Sequence, residues 1–295
     1  MVRLGLTPML AGMLDELDAS GRYALIKVAT GALRVGVSAR LAKQALADAF
    51  GLDVEAVEEV WHALEPPYTP LFDWGEGKAE APNVSEMPVF RPFMLAHPLE
   101  EEKRLDLADY AAEWKWDGIR VQLVRAGGET RLYSRSGDDI SATFPELLDV
   151  LPMNAVLDGE LLVRGSTQGG EAGGAASFNA LQQRLGRKTV SKKMLAEYPA
   201  FVRLYDVLLL EGEDLRPQPW AQRRKRLEAL ASRLPESHFD ISSVVEVADF
   251  EHLSRIREGS REDAIEGLML KRKDSPYIAG RRVGYWYKWK RDPLL

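Results

Sequence analysis

The chain contains no cysteine. That absence excludes disulfides, thiolate nucleophiles and cysteine-held zinc. There is also no run of about 18 apolar residues, the length that a membrane-crossing helix needs. Met1 to Gly12 carries one arginine and no sustained apolar stretch before a small-residue cleavage site, which is not the pattern of an export signal. A cytoplasmic protein with no membrane contact is the expectation. Histidine is sparse: His62, His97, His238 and His252 fall at no metal-ligand spacing. No G-x-S-x-G elbow is present either, so histidine-bound zinc and hydrolytic triads are poor readings. Glycine is dense between Gly165 and Ala176. No Gly-Lys-Ser/Thr follows it and no G-x-G-x-x-G joins a strand to a helix, so a flexible loop is a better reading than a phosphate cradle.

What is there is an ordinary globular composition, 45% apolar and 28% charged over 295 residues, enough for one or two domains. A net charge of −6 gives no sign of backbone-driven nucleic-acid binding over the whole surface. The distribution says more. Between Lys271 and Arg291 lie Lys271, Arg272, Lys273, Arg281, Arg282, Lys288, Lys290 and Arg291 against one acid, Asp274. A local phosphate site and a solvated strand pair fit that stripe equally well.

The first part reads as helical. Thr7 and Pro8 suit a helix start, Met9, Leu10, Met13, Leu14 and Leu17 share a face, and Gly21 suits a stop. A second helix is expected over residues 22–30, ended by Gly31. Ser38 and Asp53 are N-cap candidates for two more, the last with Val54, Val57, Val60, Trp61 and Leu64 as its stripe. Pro66, Pro67, Pro70, Pro82 and Pro88 then mark a linker. Beyond it, alternation predicts strands over residues 118–125, 130–135, 156–163, 201–210, 267–273 and 285–290. Helices fit 177–185, 221–234 and 249–258. This irregular order predicts an α+β fold rather than a doubly wound sheet.

The chemistry concentrates in Glu113-Trp114-Lys115-Trp116-Asp117-Gly118-Ile119-Arg120. A lysine between two tryptophans is costly to keep charged if buried, and an amine that sheds its proton becomes a nucleophile. In an extended chain Glu113, Lys115 and Asp117 project to one side, about 7 Å between alternate residues. Asp158 and Glu160 share one face of an otherwise apolar strand, and Glu266 precedes the apolar run that ends at Lys271. Charges in such strands must be paired, metal-bound or functional. Lys288 and Lys290 share a face, and their mutual repulsion invites an anion between them.

Taken in order, Glu113–Arg120, Leu132–Ile140, Val156–Val163, Leu204–Leu208, Glu266–Lys271 and Trp286–Lys290 resemble the motifs of the covalent nucleotidyltransferase superfamily, and specifically bacterial-type ATP-dependent DNA ligases. The stretch Ala29–Ser38 resembles the end of the helical DNA-binding domain that precedes their catalytic core. The resemblance implies a helical N-terminal region followed by an adenylation (nucleotidyltransferase) domain of antiparallel sheets flanked by helices. The expected boundaries are 1–65 for the end of the helical domain, 66–98 for the linker and entry to the core, and 99–295 for the adenylation domain. The resemblance further implies that Lys115 takes AMP from ATP as a phosphoramidate, passes it to the 5′-phosphate of nicked double-stranded DNA, and that the 3′-hydroxyl then displaces it. In this scheme Glu113 contacts adenine, Arg120 the ribose with Arg135 nearby, and Tyr205 stacks on the base where many relatives have phenylalanine. Glu160 binds the ribose or a metal, Glu266 helps hold Mg²⁺, and Arg282, Lys288 and Lys290 meet phosphates. Leu295 falls just past the last motif, so a monomeric fragment without the family's OB-fold domain is expected, with weak self-adenylation. RNA ligases, capping-type nucleotidyltransferases and a non-catalytic nick-binding fragment are the alternatives. The helical region and the match at every motif favour the DNA-ligase pattern.

Overall fold

The computed structural model describes residues 6–30, 37–100, 105–165, 174–187, 189–259 and 264–291. The glycine-rich loop and the stretch from Ala29 to Ser38 therefore lie largely outside the described residues.

Five helices come first: α1 (Leu6–Asp15), α2 (Ala19–Ala29), α3 (Ala39–Phe50), α4 (Val54–Trp61) and α5 (Thr69–Gly75). Ser38 caps α3 by accepting from the Leu41 amide, and Asp53 caps α4 by accepting from that of Glu55, as their sequence positions predict. Gly51 ends α3 in the left-handed conformation. Other boundaries differ from expectation. Thr7 and Pro8 lie inside the first turn of α1, where a proline costs nothing because those amides have no intrahelical partner. Gly21 does not stop a helix; it sits in the first turn of α2, donating its amide to the Asp18 cap. α4 ends at Trp61, short of Leu64. The proline-rich linker contains α5, whose Pro70 occupies the first turn and whose Leu71 is fully buried.

The core follows as β1 (Met94–Leu95), β2 (His97–Pro98), β3 (Tyr110–Trp116), β4 (Ile119–Ala126), β5 (Glu129–Ser134), β6 (Ala155–Val163), α6 (Phe178–Gln182), α7 (Lys192–Glu197), β7 (Ala200–Leu210), β8 (Glu213–Asp214), α8 (Trp220–Ala231), β9 (Phe239–Ile241), β10 (Val244–Val245), α9 (Phe250–Gly259), β11 (Ile265–Arg272), β12 (Gly280–Arg281) and β13 (Trp286–Lys290). One large sheet runs β10-β3-β11-β13-β2 and another β5-β4-β6-β7-β8, with β9 beside β7, while β1 and β12 form a two-stranded sheet. Pairing is antiparallel except for β2 with β13, β1 with β12 and β7 with β9. The α+β expectation holds.

Strand alternation decides which face each side chain takes. Val121 and Leu123 of β4, with Leu157 and Leu161 of β6, enter the core that Leu227 and Leu230 of α8 cover. Val124 and Val156 turn the other way, into a second core with Phe93, Ala111, Tyr277 and Trp286 between the sheets. A third core joins Trp114, Leu268 and Trp289 to Leu253 of α9. Asp158 and Glu160 share their parity with Val156, so they face the interior between the sheets. Among the described residues no helix is long and apolar enough to cross a membrane.

Candidate active site

β3 belongs to one sheet and β4 to the other, so the segment from Lys115 to Arg120 is the corner at which the chain changes sheets. Asp117 and Gly118 make the corner. A Cβ on Gly118 would lie 2.5 Å from the Leu161 carbonyl and 2.9 Å from Glu160 Cγ. Glycine is therefore needed here for close approach to β6 rather than for an unusual backbone angle. Gly118→Ala must push β4 off β6 beside Glu160, and a stability loss of about 1–3 kcal/mol in denaturant unfolding is expected.

A cavity of about 350 Å³ opens inside this corner, lined among others by Lys115, Arg120, Glu160, Tyr205, Glu266 and Lys288. Glu113 and Arg135 also line it. Of the residues to which the resemblance assigns a role, Arg282 alone is absent from the lining: its guanidinium reaches Glu55 of α4 at 3.3 Å.

Lys115 meets Glu266 in a close ion pair, and the backbone explains how. Ile265 of β11 pairs with Trp116 and Gly267 with Lys115, leaving Glu266 as an extra residue in a bulge. A bulge re-aims one side chain, here delivering the carboxylate to the amine. Gly267 makes the bulge possible: its φ is +150°, and a Cβ there would lie 2.3 Å from the Trp289 carbonyl. Glu266 also accepts from Lys290 at 2.8 Å. Burial raises its carboxyl, but the hydrogen bonds from Lys115 and Lys290 outweigh it and hold the group below its ordinary value. Glu160 has the opposite balance. Desolvation dominates over the attraction of Lys115 and Arg120, with Asp158 and Glu266 adding repulsion, and its carboxyl is pushed up to about 8.

At the closed end, Glu113 is 1% exposed and lies 3.1 Å from Lys271 and 3.8 Å from Arg224. The Lys271 ammonium stands over the rings of Tyr205 (4.4 Å) and Trp286 (4.8 Å). At the open end, burial lowers the Lys288 ammonium, and the neighbouring cations Arg281, Lys115, Lys290 and Arg135 lower it further. The arrangement is an aromatic slot with one buried acid–base pair at its base, the Lys115 amine beside two carboxyl groups, and cations at its mouth.

Residues 93–290 match the family model described as the ATP dependent DNA ligase domain. The chain belongs to the ATP-dependent DNA ligase family. It is 33% identical over 294 residues to a DNA ligase of Cenarchaeum symbiosum, covering 93% of this chain and 48% of that protein. A DNA ligase 1 of Korarchaeum cryptofilum is 31% identical, with 94% of this chain and 50% of that one covered. The chain thus spans about half the length of the curated relatives it matches. Among solved structures, mycobacterial DNA ligase D complexed with ATP and MES is 31% identical, with a TM-score of 0.52 over 68% of this chain and 60% of that one.

In this member of the DNA ligase family, several cavity residues carry no signal strong enough to single them out from sequence. Lys271 reads as one more cation of the basic stripe, and only its register opposite Ala111, deep in the sheet, buries it to 2% exposure. Trp286 shares its parity with Lys288 and Lys290, which was the available clue. Met269 lines the cavity through the same alternation from Lys271.

Proposed function

We propose that this chain is the nucleotidyl-transfer core of an ATP-dependent DNA ligase, with Lys115 as the nucleophile. The observation that carries the reading is the juxtaposition, around one cavity, of an amine, two carboxylates, an aromatic slot and the cations beside Lys288. Tyr205 and Trp286 suit the faces of a purine, and the Glu113–Lys271 pair offers both an acceptor and a donor to its edge. Lys288 with Arg135 suits the phosphates.

In the first step the Lys115 amine attacks the α-phosphorus of ATP. The N–P bond forms, the bond from that phosphorus to the bridging α,β oxygen breaks, and pyrophosphate leaves with the electron pair. The proton that Lys115 must lose has Glu266 as its nearest acceptor. Mg²⁺ fits the donor set. Among the described residues there is no cluster of three metal-ligating side chains, but Mg²⁺ commonly takes one or two carboxylates together with substrate phosphates. Glu266 adds to the cost of charging Glu160, and a divalent cation held by these two carboxylates would relieve it. When bound it supplies charge stabilisation for the transferring phosphoryl group. Transfer of AMP to the 5′-phosphate of nicked DNA then follows the family's chemistry, with residues 1–65 as the end of a helical DNA-binding region, 66–98 as entry and 99–295 as the adenylation domain.

The test is mass spectrometry of the protein after incubation with ATP and Mg²⁺. An added AMP mapped to Lys115, formed with ATP and not with GTP, supports the reading. A GTP adduct points to a capping-type enzyme, and protein left wholly unmodified that still binds nicked duplex removes the enzyme reading in favour of a non-catalytic binder.

The raised Glu160 carboxyl gives a pH signature with a definite sign. Below about 4.5 the group is protonated in folded and unfolded chains alike. Between there and about 8 only the folded, nucleotide-free chain keeps the proton. The folded state thus binds more protons, and stability falls as pH rises through this window. Thermal melting across it should show that slope in the wild type and a shallower one in Glu160→Gln. Stabilisation by Mg²⁺ should be greater at pH 9 than at pH 6, because the cation displaces the proton.

A further inference from the structure

A closed triangle of polar groups joins Arg120, in the cavity wall, to Asp158 and Tyr277 behind it. Asp158 is fully buried and accepts three hydrogen bonds: Arg120 Nε to Oδ1 at 3.1 Å, Arg120 Nη2 to Oδ2 at 2.7 Å, and the Tyr277 hydroxyl to Oδ2 at 2.7 Å. Arg120 Nη2 also donates to that hydroxyl, at 3.2 Å, and Nη1 donates to the Met94 carbonyl at 2.7 Å. Four of the five guanidinium N–H groups are thereby committed to the protein, while the side chain still lines the cavity. Tyr277 itself does not line it. It sits in the turn between β11 and β12, its amide anchored on the Arg216 carbonyl at 2.8 Å. Its ring packs edge-on against Trp286, centroids 5.8 Å apart, and Trp286 forms one wall of the aromatic slot.

A buried carboxylate with one arginine could still let that arginine swing, since the long side chain has several rotamers. A hydroxyl that donates to the acid and accepts from the base closes the ring and removes that freedom. We propose that Tyr277 is a positioning residue: through Asp158 it fixes the Arg120 guanidinium, and through Trp286 it fixes the opposite wall, so that a nucleotide meets a pre-set pocket. The link to ATP rests on the function proposed above; the link between Tyr277 and Arg120 does not.

The experiment uses Tyr277→Phe in the full chain, which keeps the ring against Trp286 and removes only the hydroxyl. Two readouts separate the claims. Hydrogen exchange of the Arg120 Nε–H, followed by NMR on nucleotide-free protein, should be slow in the wild type and at least about tenfold faster in the variant, the scale of one hydrogen bond to a charged group. Single-turnover adenylation should need about tenfold more ATP for half-saturation, with the maximal rate within about twofold. Exchange at Arg120 that is unchanged in Tyr277→Phe overturns the proposal whatever the ATP data show. A maximal rate that falls with no change in half-saturation overturns the pocket-setting part. If the wild type forms no adduct, the functional reading fails, while the exchange measurement still decides the role of Tyr277. Should Tyr277→Phe not fold, Asp158→Asn replaces it: it keeps the shape of the acid and weakens its hold on Arg120, and unchanged exchange there is equally fatal.

Discussion

Lys115→Arg is expected to abolish AMP capture, by at least about 10⁴-fold, the scale of losing a covalent nucleophile, while leaving the fold intact. Arginine keeps the positive charge that Glu266 requires, and Lys115 is only 20% exposed, so removing the charge altogether would leave Glu266 short of a partner. The guanidinium cannot be deprotonated in a protein and has no free lone pair to attack phosphorus. Lys115→Arg thus separates chemistry from electrostatics more cleanly than alanine does. The measurement is single-turnover transfer of labelled AMP from ATP, beside a melting curve. Transfer that persists in the arginine variant at a tenth of the wild-type rate would move the nucleophile elsewhere, with Lys290 as the next amine on Glu266.

Lys271→Met should produce the largest loss of stability. Lys271 and Glu113 are 2% and 1% exposed and lie 3.1 Å apart. With Lys271 gone, the nearest cation to Glu113 is Arg224 at 3.8 Å, and Arg224 is also engaged by Glu228 and the Ser242 carbonyl. A buried carboxylate stripped of its main partner costs about 3–5 kcal/mol, or roughly 10 °C of melting temperature in a domain of this size. Methionine matches the volume of the lysine stem and the aromatic slot around it, so packing contributes little to the effect. Combining Lys271→Met with Glu113→Gln should recover much of the loss, because the unpaired charge is gone. A single variant as stable as the wild type would mean that the Glu113–Lys271 pair contributes no net stability.

Burial pattern and caps were legible from the chain alone because they depend on neighbours a few residues apart. Ser38 and Asp53 cap the helices they precede, and the alternation of Ile119, Val121 and Leu123 marks β4. Helix ends were less legible. Gly21 suits a stop, yet the Asp18 cap starts α2 before it, since a satisfied amide outweighs glycine's modest helix penalty. α5 was hidden by the prolines before it and by Pro70, which its first turn tolerates.

The candidate site divides along the same line. Its residue types and their order along the chain, from Glu113 to Lys290, were set out by the sequence. What tertiary structure alone decided is which of them meet and in what state of charge. The bulge at Glu266 brings it to Lys115, the Asp158 carboxylate draws Arg120 inward, and Glu55 of α4 pairs with Arg282 outside the cavity. The reason is physical: a strand period tells which face a side chain takes, whereas a bulge, a register and a buried ion pair depend on atoms brought together from more than a hundred residues apart.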